Sequence, residues 1–181
     1  NSFSVNGMVT TDISSGSDDY ACDAALQPGG KIVVVRIWGS FEDKSVVVRY
    51  NPDGTLDGSF GTNGILIIEP PASTLFMIRG VTIQADGKIC LTGGAISFTD
   101  GTLQMVARLN TDGSFDNTFS VDGIVITSFD GIPYAESIAL QADGKIVVAG
   151  GLTTAEPGEP SVIRIAVVRY NADGTLDTEF D

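Results

Sequence analysis

"QADGKI" stands at residues 84–89 and again at 141–146, and a near-copy, "QPGGKI", stands at 27–32. Lys31, Lys88 and Lys145 are therefore 57 residues apart each time. In every copy the six letters join two apolar, β-rich stretches. The Asp-Gly pairs at 86–87 and 143–144 predict type I′ hairpins, in which both central residues take positive φ, and Gly29-Gly30 substitutes in the first copy. On this reading the hexapeptide is a hairpin tip, used once per unit.

More of the chain falls into register around these tips. "KIVVVR", "KICLTGG" and "KIVVAGG" follow them directly. Next come "VVVRYNPDGTLDGSF" (46–60), "MVARLNTDGSFDNTF" (105–119) and "AVVRYNADGTLDTEF" (166–180). Then come "GTNGILII" (61–68) and "SVDGIVIT" (120–127), a text that also appears without a predecessor as "SVNGMVTT" at 4–11. Arg49, Arg108 and Arg169 are 59 and then 61 residues apart, so insertions fall between strands and not inside them. The chain thus divides as one repeat domain over 1–181, with repeats at approximately 4–60, 61–119 and 120–180.

Each unit holds about four strands; in the third they are expected at 123–129, 136–141, 145–150 and 163–171. The runs "IVVV", "VVV" and "IVVA" do not alternate apolar with polar, and continuous β-branched runs belong to strands covered on both faces. A four-stranded antiparallel sheet covered on both faces and recurring at this period describes a propeller blade. The expected fold class is all-β: β-propeller blades, three four-stranded antiparallel repeats.

The pattern "LQADGKIVVAGG" at 140–151, followed by "RYNADGTLD" at 169–177, resembles the delta-60 repeat, a family of tandem units in bacterial, often surface or secreted, proteins. The first copy departs from it, with Pro28-Gly29 in the turn and "VVRIWG" for "VVAGG". The resemblance implies a propeller on the cell surface or outside the cell and defines no chemistry.

Composition narrows the partners. A net charge of −13 with only ten Lys and Arg argues against nucleic acid and against an anionic membrane surface. No apolar run approaches the length of a spanning helix, so no membrane insertion is expected. The start at Asn1 suggests a mature form or a fragment. Cys22 and Cys90 occupy different repeat positions and are expected as two small buried hydrophobes, with a disulfide left open. Three blades are fewer than the four to eight that close a ring. The chain is therefore expected to form a homo-oligomer, ring or filament, or to join further repeats of a longer chain. Phe3, Phe60, Phe119 and Phe180 occupy one repeat position, so head-to-tail stacking would continue the period.

The sequence contains no histidine, which removes imidazole bases, Ser-His-Asp triads and His-containing zinc sites. Among the acids, nine sit at repeated turn positions, whereas an active site is used once. Glu42, Asp43, Glu69 and Glu136 are unrepeated but show no singling spacing. We therefore expect no enzyme and no cofactor, with a carboxylate-based glycoside hydrolase as the remotest alternative.

One metal pattern remains. The turn N-x-D-G-x-x-D places oxygen donors at Asn51, Asp53 and Asp57, at Asn110, Asp112 and Asp116, and at Asn171, Asp173 and Asp177. It resembles part of a calcium loop but lacks the terminal bidentate acid, and Arg49, Arg108 and Arg169 stand where a further acid belongs. The competing reading is an Asx turn with the arginine as charge partner across blades. Tyr50, Leu109 and Tyr170, like the repeated phenylalanines, are expected in the core, and Trp38 near Phe41 as a loop cap. The expected function is a structural or interaction module of a secreted or cell-surface protein. It would display variable loops at 37–45, 69–79, 95–104 and 151–162 to a protein, or, in a lectin-like alternative, to a glycan.

Overall fold

The computed structural model describes residues 3–13, 18–37, 44–69, 74–155 and 158–180. Trp38, Phe41, Glu42 and Asp43 lie outside the described residues. The first sheet is a meander of β1 (Tyr20–Leu26), β2 (Ile32–Ile37), β3 (Ser45–Tyr50) and β4 (Ile65–Ile68). The second repeats it with β5 (Thr74–Ile83), β6 (Ile89–Ser97), β7 (Gly101–Leu109) and β8 (Ile124–Thr127). The third holds β9 (Ile132–Leu140), β10 (Ile146–Thr154) and β11 (Val162–Tyr170), and all pairings are antiparallel.

Two expectations change here. Among the described residues the third sheet has three strands, not four. The stretch expected to open the third unit, 123–129, instead supplies β8, the outer strand of the second sheet. Each outer strand follows its own sheet's Asn-x-Asp-Gly turn, and the fourth-strand text matching β4 and β8 lies at the far end of the chain, in residues 4–11.

The sheets stack face to face, with the first strands β1, β5 and β9 side by side. The apolar runs are buried for the reason the sequence suggested: Val46, Val47 and Val48 are all at most 3 % exposed because β3 is covered on both faces. One core lies between the first two sheets, around Val35, Val47, Ile78, Leu91 and Met105. A second lies between the last two, around Val106, Ile138, Val148 and Tyr170. The sheets do not close into a ring. Among the described residues no helix is long and apolar enough to cross a membrane.

The hairpin tips are built differently from the expectation. Gly87 and Gly144 have φ of 86° and 85°, but Asp86 and Asp143 are not among the positive-φ residues, so the turn is not type I′. Gly87 N–H donates to Gln84 O and Gln84 N–H to Lys88 O, which describes a type I turn followed by a glycine bulge. The Asp carboxylate selects it by accepting the Lys88 or Lys145 N–H. In the first copy Pro28 precedes Gly29 at φ 88°, the signature of a type II turn.

The "GG" pairs in β6 and β10 serve packing across strands. A Cβ on Gly93 would sit 1.9 Å from Met77 O, and one on Gly150 would sit 1.8 Å from Tyr134 O. Both glycines face a β-bulge in the first strand, where the neighbouring backbone comes close. A Cβ on Gly94 would meet the flexible end of Met77 at 3.3 Å and Leu103 O at an ordinary contact distance of 4.0 Å. Gly93→Ala is therefore expected to destabilise the chain by about 3 kcal/mol or more and Gly94→Ala by under about 1 kcal/mol in denaturant unfolding.

Candidate functional site: a latch repeated at each blade junction

The Asn-x-Asp-Gly turn and the lysine of the hairpin tip meet at one carboxylate. In the first sheet Asp57 Oδ2 accepts Lys31 Nζ and Arg49 Nε, both at 2.6 Å. Its Oδ1 accepts the backbone N–H and hydroxyl of Ser59, at 3.1 and 2.7 Å. Asp116 repeats this with Lys88, Arg108 and Thr118, and Asp177 with Lys145 and Arg169. The lysine of "QADGKI" thus neutralises a buried acid of its own sheet.

Each arginine also reaches forward. Arg49 lies 4.4 Å above the centroid of the Phe60 ring, and Arg108 lies 4.7 Å above Phe119. Phe60 in turn lies against Gly113 of the next sheet's turn, where a Cβ would come within 2.8 Å of the ring. Phe119 lies against Gly174 in the same way. The guanidinium completes the junction by donating to a turn carbonyl of the next sheet, Arg49 to Thr111 O and Arg108 to Ala172 O. Arg–Asp pairing therefore lies within a blade, and the contact across blades is arginine to carbonyl and phenylalanine to glycine.

The nine metal candidates are spread over these duties and not gathered around a common point. Asp57, Asp116 and Asp177 are held by ammonium and guanidinium groups. Asp53, Asp112 and Asp173 each accept the N–H and hydroxyl of the residue two ahead, as an Asx turn does. Asn51, Asn110 and Asn171 turn their amide N–H groups toward Thr55, Ser114 and Thr175. Among the described residues no three acid, cysteine or histidine side chains converge, and at Asp57, Asp116 and Asp177 a calcium ion would have to displace lysine and arginine.

Other expectations sort unevenly. Phe60, Phe119, Leu109 and Tyr170 are fully buried, but Phe180 is 37 % exposed and Tyr50 only half-buried. Both cysteines are free, and only Cys90 is buried, its thiol pushed up to about 12 by burial. Cys22 is exposed because it sits on a bulge in β1. Glu69 is paired with Lys44 in the open.

One row was missed from the sequence. Bulges at the same place in β1, β5 and β9 carry Cys22, Arg79 and Glu136, three unlike residues at a repeated position on adjacent inner strands. Arg79 Nη1 is 3.4 Å from Glu136 Oε2, and Cys22 Sγ is 3.4 Å from Ile78 O. Their 57-residue spacing was the available signal. Beside the same inner strands, a groove of about 710 Å³ runs between the tips of the second and third sheets, lined by Gln84, Asp86 and Gln141.

With this geometry in hand, comparison with known proteins is informative. Residues 27–60, 84–119 and 141–180 match the family described as Domain of unknown function (DUF5122) beta-propeller. The chain belongs to that family. The match supports a propeller-repeat family and not the delta-60 repeat specifically. No curated protein matches the sequence. Among solved structures, the chain is similar to an exo-1,5-alpha-L-arabinanase from a bovine ruminal metagenomic library, at 14% identity and TM-score 0.53 over 95% of this chain. It also matches a Bacteroides caccae protein of unknown function, at 12% identity and TM-score 0.47 over 91% of this chain. The chain spans 61% of the length of each. The arabinanase likeness shows the shared fold. It also corrects the expectation that this chain is no enzyme, because a chain of the same fold is one, and lack of histidine is no ground for excluding catalysis.

Acid pH probes the latch directly. Burial works to raise the Asp57 and Asp116 carboxyls, but hydrogen bonds from Lys31 and Ser59, and from Lys88 and Thr118, with the arginines, hold both well below the ordinary range. The Lys145 hydrogen bond helps bring Asp177 down to about 2. A depressed native pKa adds stability that is complete above the unfolded value near 3.9 and is lost as pH falls through the native one. Stability measured by denaturant is expected to hold from neutral pH to about 5 and then to fall below about 4. Asp116→Asn is expected to cost about 3 kcal/mol at pH 7 and to flatten that fall, because it strips a buried cation pair of its anion. Asp112→Asn, on the exposed turn, is expected to cost under about 1 kcal/mol.

Proposed function

We propose that the chain is an assembly and display module: its blades stack onto further blades of the same kind, and its loops and inner strands meet a partner outside the cell. The observation that supports this most is the state of the third latch. Arg169 and Phe180 are set as in the other copies, with the guanidinium 4.4 Å from the ring centroid. Yet the Arg169 side chain is 20 % exposed, against 4 % for Arg49, and the covered equivalent Phe60 is fully buried. Val167, whose equivalents Val47 and Val106 are fully buried, is 47 % exposed. A further blade would cover the guanidinium and the valine and bring its own phenylalanine to the Phe180 position.

Groups open to a ligand are the row of unlike residues Cys22, Arg79 and Glu136 and the groove between the second and third tips, lined by Gln84, Asp86 and Gln141. They offer charged and amide groups to a protein or a glycan. The acidic surface is in keeping with a secreted or cell-surface protein.

Native mass in solution tests the assembly reading. A species larger than 18.9 kDa that grows with concentration is expected. Arg169→Ala is expected to weaken it at least about ten-fold and to lower the unfolding midpoint less than Arg108→Ala, which sits in a closed latch. A monomer at all concentrations would overturn the reading.

A further inference from the structure

The outer strands of the first two sheets are each four residues long and each follow the same turn. Residues 4–11 carry the same turn and the same text, and among the described residues they join no sheet. Their backbone is already bent as the others are: Ser4 and Ser120 have φ of 55° and 57°, and Gly7, Gly64 and Gly123 have φ of 78°, 91° and 86°. Met8 N–H donates to Asn6 Oδ1 at 3.1 Å, as Ile124 N–H donates to Asp122 Oδ1 at 3.1 Å.

The segment is also seated on the first blade as β8 is seated on the third. Ser4 N–H donates to Asp53 O at 2.8 Å, and Ser120 N–H to Asp173 O at 2.7 Å. The Tyr50 hydroxyl bonds Thr11 Oγ1 at 2.7 Å, and that of Tyr170 bonds Thr127 Oγ1 at 2.8 Å. Val9 and Phe3 pack on Gly54, as Val125 and Phe119 pack on Gly174. Residues 8–11 thus hold the position of an outer strand whose own sheet is missing.

At the other end stands a sheet whose outer strand is missing. β11 pairs with β10 along nine residues and, among the described residues, with nothing on its far side. It exposes Val162, Ile163, Ile165 and Val167. A long apolar edge without proline is a template for strand addition.

We propose that residues 8–11 of a second copy add to β11 as the fourth strand of the third sheet. The pairs Val48↔Ile65 and Val47↔Leu66, repeated as Ala107↔Ile124 and Val106↔Val125, set the register. Val168 then lies opposite Met8, Val167 opposite Val9, Ala166 opposite Thr10 and Ile165 opposite Thr11. The incoming blade brings the Pro52 carbonyl, the equivalent of Thr111 and Ala172 O, to Arg169. The contact continues the interface already present at both internal junctions, and two copies give six blades, within the range that closes a ring. Phe180 and the second copy's Phe3 correspond to one position, and the slot over Gly54 is filled by Phe3, so Phe180 swings clear.

This inference rests on the assembly reading and specifies its contact. Hydrogen exchange on the full chain, at concentrations below and above assembly, separates the two. Amides in 162–168 and 8–11 are expected to exchange at least about ten-fold more slowly when assembled. The synthetic peptide SVNGMVTT in excess is expected to dissociate the assembly while keeping 162–168 protected. Assembly without new protection in 162–168 would overturn strand addition and leave blade stacking standing. A monomer whose β11 the peptide protects would support the strand contact and overturn self-assembly, and a monomer indifferent to the peptide would overturn both.

Discussion

The structure depends on burying a guanidinium between two blades without leaving it unsatisfied. Arg49 and Arg108 each face three demands: their charge must be neutralised, their planar face covered, and their outer N–H groups accepted. Asp57 or Asp116 supplies the charge, Phe60 or Phe119 the cover, and a turn carbonyl of the next blade the acceptor. The last of these can come only from a neighbour in the right register. Apolar stacking of flat valine-rich faces is not directional, whereas the arginine–carbonyl bond sets how one blade meets the next.

The repeated letters follow from those demands. The hairpin-tip lysine places a second cation on the same carboxylate oxygen, which helps keep that carboxyl ionised as pH falls. Glycine is needed at 113 and 174 because a ring must lie flat on the turn of the following blade. Serine or threonine two residues beyond the acid occupies its second oxygen. Pairing within a blade and contact across blades thus draw on the same atoms, and among the described residues the third copy of the latch is the one left partly exposed.

Much of this was legible in the sequence. The strands were, because burial on both faces leaves uninterrupted β-branched runs, as at Val46–Val48. The Arg–Asp pairing was weighed against calcium, but as a contact across blades; letters give the spacing of Arg49 and Asp57, not which sheet closes around them. The turn type at Asp86-Gly87 was misjudged because the carboxylate's bond to the Lys88 N–H favours negative φ at the Asp. The phase of the blades was hidden too, since a strict period has no natural origin, and only pairing reveals that β4 and β8 close the sheets before them. The row Cys22, Arg79 and Glu136 escaped because its residues differ, and a search for likeness passes over the positions where copies diverge.

The central claim, that the latch couples one blade to the next, is tested most directly by native-state hydrogen exchange in Phe119→Ala. The account predicts that β9–β11 lose protection selectively while β1–β3, held by the intact Arg49–Phe60 junction, keep theirs. An equal loss in all three sheets, or none, would contradict it.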